Sequence, residues 1–313
     1  MCVRVRCDTR ICSPDDTSLL RSARSKLCSG RLTSPVTPER QTGGMSMVEP
    51  ISQHWSRCYS EPVVTSATVA PVAVVFDGDD TLWSTEPLYD RARAAARAEV
   101  VRAGLDGDEW ERIERRVDVE NVRHLGFSTE RFPLSCVQAY EQLADASGRR
   151  RDPDVSHRVR SAAGTVFEQD PPLVPGAREA ILALRERGAK LALLTKGDRD
   201  LQERRVERSG LADLFDVIRI VAEKPASAFR DVVALLGVKP TDAWSVGNSI
   251  RSDIVPAIES GLRAVWIDAH VWEHERFEGS FKHDQMLAIR KVSELPEAID
   301  IAVMHKSSHG AAD

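Results

Sequence analysis

From residue 71 onward, short apolar runs recur along the chain and alternate with stretches of helical length. The runs are apolar without strict alternation, which is typical of strands covered by helices on both faces of a parallel sheet. This arrangement predicts an α/β fold with right-handed crossovers. The predicted strands are residues 72–76, 189–194, 217–221, 243–246 and 264–267, and the predicted helices are residues 176–187, 198–209, 225–236 and 253–260.

One connection in this pattern is far longer than a crossover between two strands requires. Residues 86–172 separate the first predicted strand from the second, and their Ala-, Arg- and acid-rich sequence favours four helices, with Ser128 as an N-cap. We therefore predict a doubly wound, Rossmann-like core made of residues 71–85 and 173–303. The insert 86–172 is predicted to be an all-helical cap domain.

The first 70 residues differ from the rest of the chain. They hold nine Lys or Arg against six Asp or Glu and are predicted to be a disordered extension, and residues 304–313 are predicted to be a flexible tail. Five of the six cysteines lie in this extension, none at the two-residue spacing of zinc or redox sites, which indicates free thiols and a reducing, cytoplasmic location. A start of translation at Met45 or Met47 is a further hypothesis.

Composition narrows the classes of function. The chain is 42% hydrophobic and 29% charged with a net charge of -5. It has no run of about 18 apolar residues, so insertion into a membrane is not expected. The mild acidity argues against broad binding to nucleic acids, which usually shows as a clustered basic excess. Nothing in the sequence specifies an oligomeric state.

The first predicted strand runs directly into three acids, in the stretch "VAVVFDGDDTLW" at residues 72–83. In open parallel sheets, ligands bind in the crevice beyond the carboxyl ends of the strands, which makes a site at this position plausible. The alternative is that Asp77, Asp79 and Asp80 are ordinary turn and helix-cap residues.

The other strand ends carry polar residues as well: "TKGD" follows the second strand, "AEKP" the third and "GNSIRSD" the fourth. Because these ends converge at one edge of a doubly wound sheet, their side chains are expected to face one crevice. Clustered carboxylates need a hard cation with oxygen ligands, most simply Mg²⁺, and a lysine beside them suggests a phosphate guest. The residues expected there are Asp77, Asp79, Thr195, Lys224, Asn248 and Asp253.

These motifs resemble those of the haloacid dehalogenase-like hydrolase superfamily, in particular its phosphatases with a helical cap inserted after the first motif. "DGDDT" at 77–81 matches the first motif, Thr195 the second, Lys224 the third and "GNSIRSD" at 247–253 the acidic fourth. The resemblance covers about residues 72–268, and the four motifs occur in order after four predicted strands.

The resemblance implies a role for each matching residue. Asp77 corresponds to the nucleophile, and because its reference pKa is about 3.9 it needs no neighbouring base to attack phosphorus and form an aspartyl-phosphate. Mg²⁺ would be held by Asp77, the backbone carbonyl of Asp79 and Asp253, with Asn248 orienting a metal-bound water. The residues expected to bind the phosphoryl group are Thr195, Lys196, Lys224 and, through the backbone of the turn, Gly78.

Asp79 indicates the type of reaction. An acid two positions after the nucleophile can protonate the departing alkoxide and then accept a proton from water. Dehalogenases of the family lack an acid there, so the sequence favours a Mg²⁺-dependent phosphatase acting on a small phosphorylated metabolite, with the insert closing over the site. A phosphomutase, a dehalogenase and a non-catalytic binding or regulatory module on the same scaffold remain alternatives.

The first and fourth motifs depart from the common pattern of the family. Gly78 stands where a larger apolar residue is frequent, which is expected to change local packing. Asn248 stands where an acid is frequent, which is expected to lower metal affinity. On the cap side, four residues could contact the leaving group or have only surface or core roles: Trp83, Tyr89, Arg123 and His124.

Overall fold

The computed structural model describes residues 72–277 and 283–309. The predicted N-terminal extension, with both candidate translation starts, lies outside the described residues. The described part contains a parallel sheet of six strands in the order β3-β2-β1-β4-β5-β6. The strands are β1 (Ala73–Phe76), β2 (Lys190–Lys196), β3 (Val217–Val221), β4 (Ala243–Gly247), β5 (Arg263–Ile267) and β6 (Met286–Ile289).

Helices lie between the strands and in the long connection after β1. The helices are α1 (Glu86–Arg102), α2 (Gly107–Leu125), α3 (Arg131–Ala146), α4 (Pro153–Gly164), α5 (Ala177–Glu186), α6 (Arg199–Ser209), α7 (Ala226–Leu236), α8 (Val255–Glu259) and α9 (Leu295–His309). This confirms the α/β class and the Rossmann-like parallel sheet. Within the residues that the structure describes, no helix combines the length and apolar character needed to cross a bilayer.

Both faces of the sheet are covered, as the apolar runs predict. Along β1, Val74 and Phe76 join one apolar cluster and Ala73 and Val75 join another, because successive side chains of a strand point to opposite faces. Helices α5 and α9 contribute to the first cluster, and α7 and α8 contribute to the second. Because helices cover both faces of the sheet, a site can lie only at its edges, such as the carboxyl ends of the strands.

The structure adds one strand to the five predicted ones. This strand, β6, pairs with β5 at the edge of the sheet, and its sequence MLAI is itself a short apolar run that the set of predicted strands does not include. Helix α9 runs from Leu295 to His309, and Leu295 and Ile299 in its first turns are buried in the first apolar cluster. The flexible tail at residues 304–313 stays a prediction.

One helix start was predicted wrongly. Ser128 does not cap the third helix of the insert, because α3 begins at Arg131 with Glu130 as its N-cap, and the Ser128 hydroxyl is buried without a partner in the described region. The helix predicted for residues 253–260 is present as the short α8, and a π-helical turn, Ile250–Ile254, precedes it.

Four helices, α1 to α4, fill the long connection between β1 and β2, as predicted. They have their own apolar cluster, which includes Trp110, Phe132 and Tyr140. Cys136 lies within it as a buried free thiol, whereas the other five cysteines lie outside the described residues. The two chain segments that join these helices to the sheet run side by side, since Ser84 N donates to Pro172 O at 2.8 Å. The assignment of residues 86–172 as a cap domain remains a prediction of the sequence.

Candidate active site

The carboxyl ends of β1, β3 and β4 bring one lysine between two carboxylates. Asp77 directly follows β1, and Lys224 lies between β3 and α7. The Lys224 ammonium donates a hydrogen bond to Asp77 Oδ1 and another, of 2.8 Å, to Asp253 Oδ1. All three side chains are buried, so this group of charges is largely shielded from water. Three residues that the sequence assigns to separate motifs thus meet at one point.

The buried group carries one more negative charge than positive charge when every member is ionised. Burial raises the pKa of Asp77 to about 7. Lys224 lowers this pKa, but the negative charge of Asp253 partly cancels the effect of the lysine. Burial also opposes the charge on Lys224, but Asp253 and Asp77 outweigh it and raise the pKa of the ammonium. The lysine is therefore charged at neutral pH, whereas the environment of Asp77 favours its neutral acid form.

The π-helical turn after β4 places Asp253. Its Oδ2 accepts a hydrogen bond of 3.0 Å from the backbone N–H of Ser249, and its backbone carbonyl accepts one of 2.8 Å from the Ser245 hydroxyl. Gly247 lies directly beneath this carboxylate. A Cβ atom at residue 247 would stand 2.3 Å from Asp253 Oδ2, so only glycine leaves the carboxylate room at this position.

The carboxylate of Asp79 is held by three donors. It accepts hydrogen bonds of 2.6 Å from Trp83 Nε1, 2.9 Å from Gln202 Nε2 and 2.7 Å from Arg205 Nη1. Gly78 makes this arrangement possible, because a Cβ at residue 78 would lie 2.5 Å from the Trp83 ring. The change in packing expected for Gly78 is therefore that the Trp83 ring occupies the space that a larger side chain at residue 78 would need.

The third acid of the stretch, Asp80, hydrogen-bonds to the backbone at the start of a helix, which is the structural alternative that the sequence left open for all three acids. Its Oδ1 accepts hydrogen bonds from the backbone N–H groups of Thr85, at 2.8 Å, and Glu86, at 3.1 Å, at the start of α1. Its φ of 58° lies in the left-handed region, which Asp tolerates better than most residues. Asp80 thus fixes the start of the helical connection, and like Asp77 and Asp79 it also lines the crevice.

Thr195 and Lys196, at the end of β2, differ in how their side chains are occupied. The Thr195 hydroxyl is buried and has no partner among the described residues, which leaves it free for a guest. Lys196 Nζ donates to Ser252 Oγ at 2.8 Å and pairs with Glu275 Oε1 at 2.5 Å. Although burial alone would raise it, Lys196 and the nearby hydroxyls lower the pKa of Glu275 to about 2.

Asn248 follows β4 and connects two loops. Its Nδ2 donates a hydrogen bond of 2.6 Å to the carbonyl of His270, and its Oδ1 lies 3.4 Å from the hydroxyl of Thr81. The side chain is buried and lines the crevice. Asn248 therefore anchors the loop after β5, and its predicted part in metal binding stays a prediction.

The oxygen atoms of this crevice suit a hard divalent cation. In the described part of the chain, no three or more His, Cys, Asp or Glu side chains converge as a ready metal site. The available set is smaller and consists of two carboxylates, Asp77 and Asp253, with a backbone carbonyl and the Asn248 amide nearby. Carboxylate and carbonyl oxygens are the ligands that Mg²⁺ takes, and the positive charge of the ion would favour the ionised form of Asp77.

A cavity of about 140 Å³ extends from these residues to the helical insert and to the loop after β5. Of the four residues considered for leaving-group contacts, Tyr89 lines the cavity, Trp83 is buried beside Asp79, and Arg123 and His124 are exposed elsewhere. The lining residues that sequence reasoning missed include Arg93, Asp118, Phe127, Arg131, Trp272 and Glu275. None belongs to a recognisable motif, and only helix packing and loop placement bring them together.

Proteins of known name are similar to this chain. It is 31% identical over 206 residues to a ribulose-1,5-bisphosphate 5-phosphatase from Halopiger xanaduensis, covering 63% of this chain and 84% of that protein. It is also 31% identical over 201 residues to a glyceraldehyde 3-phosphate phosphatase from Methanopyrus kandleri, covering 62% and 83% respectively. Both alignments span most of the relative, so the likeness extends beyond one shared motif.

A solved structure and a family profile match the same part of the chain. The crystal structure of a haloacid dehalogenase-like family hydrolase from Xanthomonas campestris matches with a TM-score of 0.62 and 26% identity, covering 77% of this chain and 95% of that one. The family profile described as haloacid dehalogenase-like hydrolase matches residues 72–261, which is more than half of the chain. With its motifs meeting at one sheet edge, the chain belongs to the haloacid dehalogenase-like hydrolase family.

Proposed function

We propose that the protein is a Mg²⁺-dependent phosphatase that hydrolyses a small phosphorylated metabolite in the cytoplasm through an aspartyl-phosphate on Asp77. The observation that carries the proposal is the Lys224 ammonium, buried between the carboxylates of Asp77 and Asp253. The similarity to several named phosphatases supports the same reaction class, phosphoric monoester hydrolysis.

The residues at the strand ends can counter the charge problem of this reaction. A carboxylate that approaches a phosphate dianion meets a repulsion of about 4 kcal/mol for each pair of unit charges at about 4 Å. Lys224 offsets part of it, because its ammonium contacts the attacking carboxylate and is not solvated. The unpartnered Thr195 hydroxyl and the backbone of the turn at Gly78 bind and orient the phosphoryl oxygens. Lys196 adds positive charge nearby, although Glu275 already pairs with it.

Asp77, Asp253, the backbone carbonyl of Asp79 and the neighbouring Asn248 are the groups that would hold the metal. When bound, Mg²⁺ supplies two positive charges that offset the repulsion between the nucleophile and the phosphate. The raised pKa of Asp77 shows that its environment favours the neutral acid, so added positive charge favours the ionised nucleophile.

Asp79 supplies the proton transfers. It gives a proton to the departing alkoxide, and it then accepts one from the water that hydrolyses the aspartyl-phosphate. In the described conformation its carboxylate is paired with Arg205.

The helical insert acts as the cap in this proposal. Its residues Tyr89, Asp118 and Arg131 line the same cavity as Asp77, so a substrate bound there touches both the sheet edge and the insert. The cavity of about 140 Å³ is smaller than the range of about 300–1,000 Å³ usual for drug-sized ligands, which favours a compact metabolite.

The test is release of phosphate from a panel of phosphorylated metabolites by the full chain, with Mg²⁺ or with excess EDTA. We expect turnover only with Mg²⁺, and its loss in Asp77→Asn. A matched control is Asp231→Asn, which changes an exposed acid on α7 and is expected to leave turnover unchanged. Equal turnover by Asp77→Asn and wild type contradicts the nucleophile role, and phosphate transfer between two hydroxyls without release identifies a mutase.

A further inference from the structure

Two charged residues of the helical insert form a buried pair on the wall of the cavity that the strand ends also line. Asp118 lies in α2 and Arg131 is the first residue of α3. The Arg131 guanidinium donates through Nη1 to Asp118 Oδ2, and the two residues are only 5% and 2% exposed. We refer to Asp118 and Arg131 as the insert pair.

The insert pair is incompletely hydrogen-bonded. Asp118 Oδ1 and Arg131 Nε are both buried and have no partner within the described residues. Buried polar groups are nearly always hydrogen-bonded, and an unmet donor and acceptor in one cavity wall call for an explanation. Replacing a buried ion pair with apolar residues often does not reduce stability, so packing alone does not explain why the pair is there.

Aromatic rings complete this end of the cavity. Trp272, from the loop after β5, lies with its ring centroid 4.4 Å from the guanidinium carbon of Arg131. Phe127, from the connection between α2 and α3, packs edge to face against Trp272 at 6.1 Å. Both rings line the cavity with the insert pair. A guest reaching this end meets flat apolar surfaces beside one acceptor and one donor.

The insert pair offers one unmet acceptor, on Asp118, and one unmet donor, on Arg131, and these two atoms determine which chemical groups it can bind. A hydroxyl group can donate to Asp118 and accept from Arg131 at the same time, so it satisfies both. A carboxylate or a second phosphate can accept from Arg131, but when ionised it cannot donate to Asp118, whose negative charge repels it. An ammonium group can donate to Asp118 but cannot accept from Arg131, whose like charge repels it.

We propose that the insert pair determines specificity by binding the leaving group, and that it selects uncharged, hydroxylated phosphomonoesters over carboxylated or doubly phosphorylated ones. This proposal rests on the phosphatase function proposed above, because the leaving group is defined by attack of Asp77 on the phosphoryl group. It adds to that function the chemical class of the substrate and the two residues that recognise it.

The test compares two matched compounds, glycerol 3-phosphate and 3-phosphoglycerate, which differ by a terminal CH₂OH against a carboxylate. Both are measured as substrates and as competitors of p-nitrophenyl phosphate hydrolysis, so an affinity is obtained whether or not a compound is turned over. We expect glycerol 3-phosphate to bind at least about tenfold more tightly to the wild-type protein, since the carboxylate faces Asp118. Tighter competition by 3-phosphoglycerate, or no competition by glycerol 3-phosphate, overturns the proposal.

A variant separates recognition from general damage. Asp118→Asn keeps the shape of the side chain but leaves Arg131 without its counter-charge. The variant is therefore expected to bind 3-phosphoglycerate more tightly, which changes the preference for glycerol 3-phosphate over 3-phosphoglycerate by about tenfold. Glu120→Gln is the matched control, because Glu120 lies two residues further along α2 and its side chain is 63% exposed. An unchanged ratio in folded Asp118→Asn contradicts the role of the pair.

Two readouts keep this proposal apart from the function on which it rests. Absence of p-nitrophenyl phosphate hydrolysis in wild type would remove the phosphatase function itself. Hydrolysis of p-nitrophenyl phosphate that depends on Asp77, with equal competition by the two glyceryl compounds, would remove only the specificity proposal. If Asp118→Asn does not fold, the wild-type comparison decides without it.

Discussion

Arg205, on α6, donates a hydrogen bond of 2.7 Å from Nη1 to Oδ2 of Asp79, and the arginine side chain is almost completely buried. Burial disfavours the charge on Arg205, but Asp79 outweighs this effect and raises the pKa of the guanidinium. Two further donors of Arg205, Nε and Nη2, are buried without a hydrogen-bond partner in the described region. Asp79, which is proposed to transfer protons, thus holds the permanently charged Arg205 in place.

The first prediction concerns proton transfer by Asp79. In Asp79→Asn, hydrolysis of an alkyl phosphate is expected to fall about 10²–10⁴-fold, the usual contribution of general acid–base catalysis. Hydrolysis of p-nitrophenyl phosphate is expected to fall less, because nitrophenolate leaves without needing a proton. Arg205→Met is expected to lower the ratio of alkyl to aryl hydrolysis in the same direction, since the Asp79 carboxylate loses a contact that orients it.

The measurement is kcat/KM for both substrates in each variant. Arg208→Met is the matched control: Arg208 lies on the same helix in an exposed ion pair with Asp170, 3.0 Å away. It should leave the ratio of alkyl to aryl hydrolysis unchanged. An equal loss on both substrates in Asp79→Asn would mean that Asp79 supports the fold or the binding of phosphate and does not transfer a proton.

The second prediction concerns the stability that Lys224 provides. Lys224→Met leaves Asp77 and Asp253 buried together without the ammonium between them, and removal of one partner from a buried ion pair costs about 3–5 kcal/mol. We expect a loss of that size in the free energy of unfolding at pH 7.5, measured by urea denaturation. The loss should be smaller at pH 5, where protonation of a carboxyl relieves the repulsion. Lys239→Met, at an exposed position, serves as the control.

The third prediction is a pH dependence of stability set by Asp77. Burial raises the pKa of Asp77 to about 7 in the folded protein, from an ordinary value of 3.8. The folded state therefore holds this proton more tightly than the unfolded chain, and the unfavourable contribution begins above about pH 4 and is complete above about pH 7. In EDTA, Asp77→Asn is expected to be more stable than wild type at pH 8 and about equally stable at pH 5.

Urea denaturation at both pH values tests this sign. If wild type gains stability relative to Asp77→Asn as the pH rises, the effect of Lys224 on the pKa of Asp77 outweighs the effect of burial. Addition of Mg²⁺ to wild type at pH 8 is expected to raise stability with the concentration of the ion, because a ligand that binds only the folded state stabilises it. The Asn variant should respond less.

The fourth prediction concerns the packing of Gly78 against Trp83. A Cβ at residue 78 would lie 2.5 Å from a ring atom of Trp83, which is fully buried and cannot shift freely. Gly78→Ala is expected to destabilise the protein by about 1–3 kcal/mol, as overpacking of a core usually does. Trp83→Leu in the same chain should recover part of this loss, so the two changes are expected to be non-additive. Additive losses in urea denaturation would contradict the contact.

Sequence alone determined the architecture and the edge of the sheet at which the motif residues meet. The apolar runs identified five of the six strands, because strands covered on both faces are mostly apolar. The family motifs identified Asp77, Lys224 and Asp253, since the order of parallel strands requires their ends to meet at one edge. Asp80 could not be distinguished from its neighbours, because a helix cap and a site residue have the same local sequence.

Tertiary structure decided what surrounds those residues. The partners of Asp79, which are Trp83, Gln202 and Arg205, come from the turn after β1 and from α6, and no local pattern predicts that they meet. The insert pair and Trp272 likewise depend on how two helices and a loop pack over the crevice. Local patterns report which residues are buried or capped, whereas the contacts proposed to select a substrate join residues that are far apart in the chain.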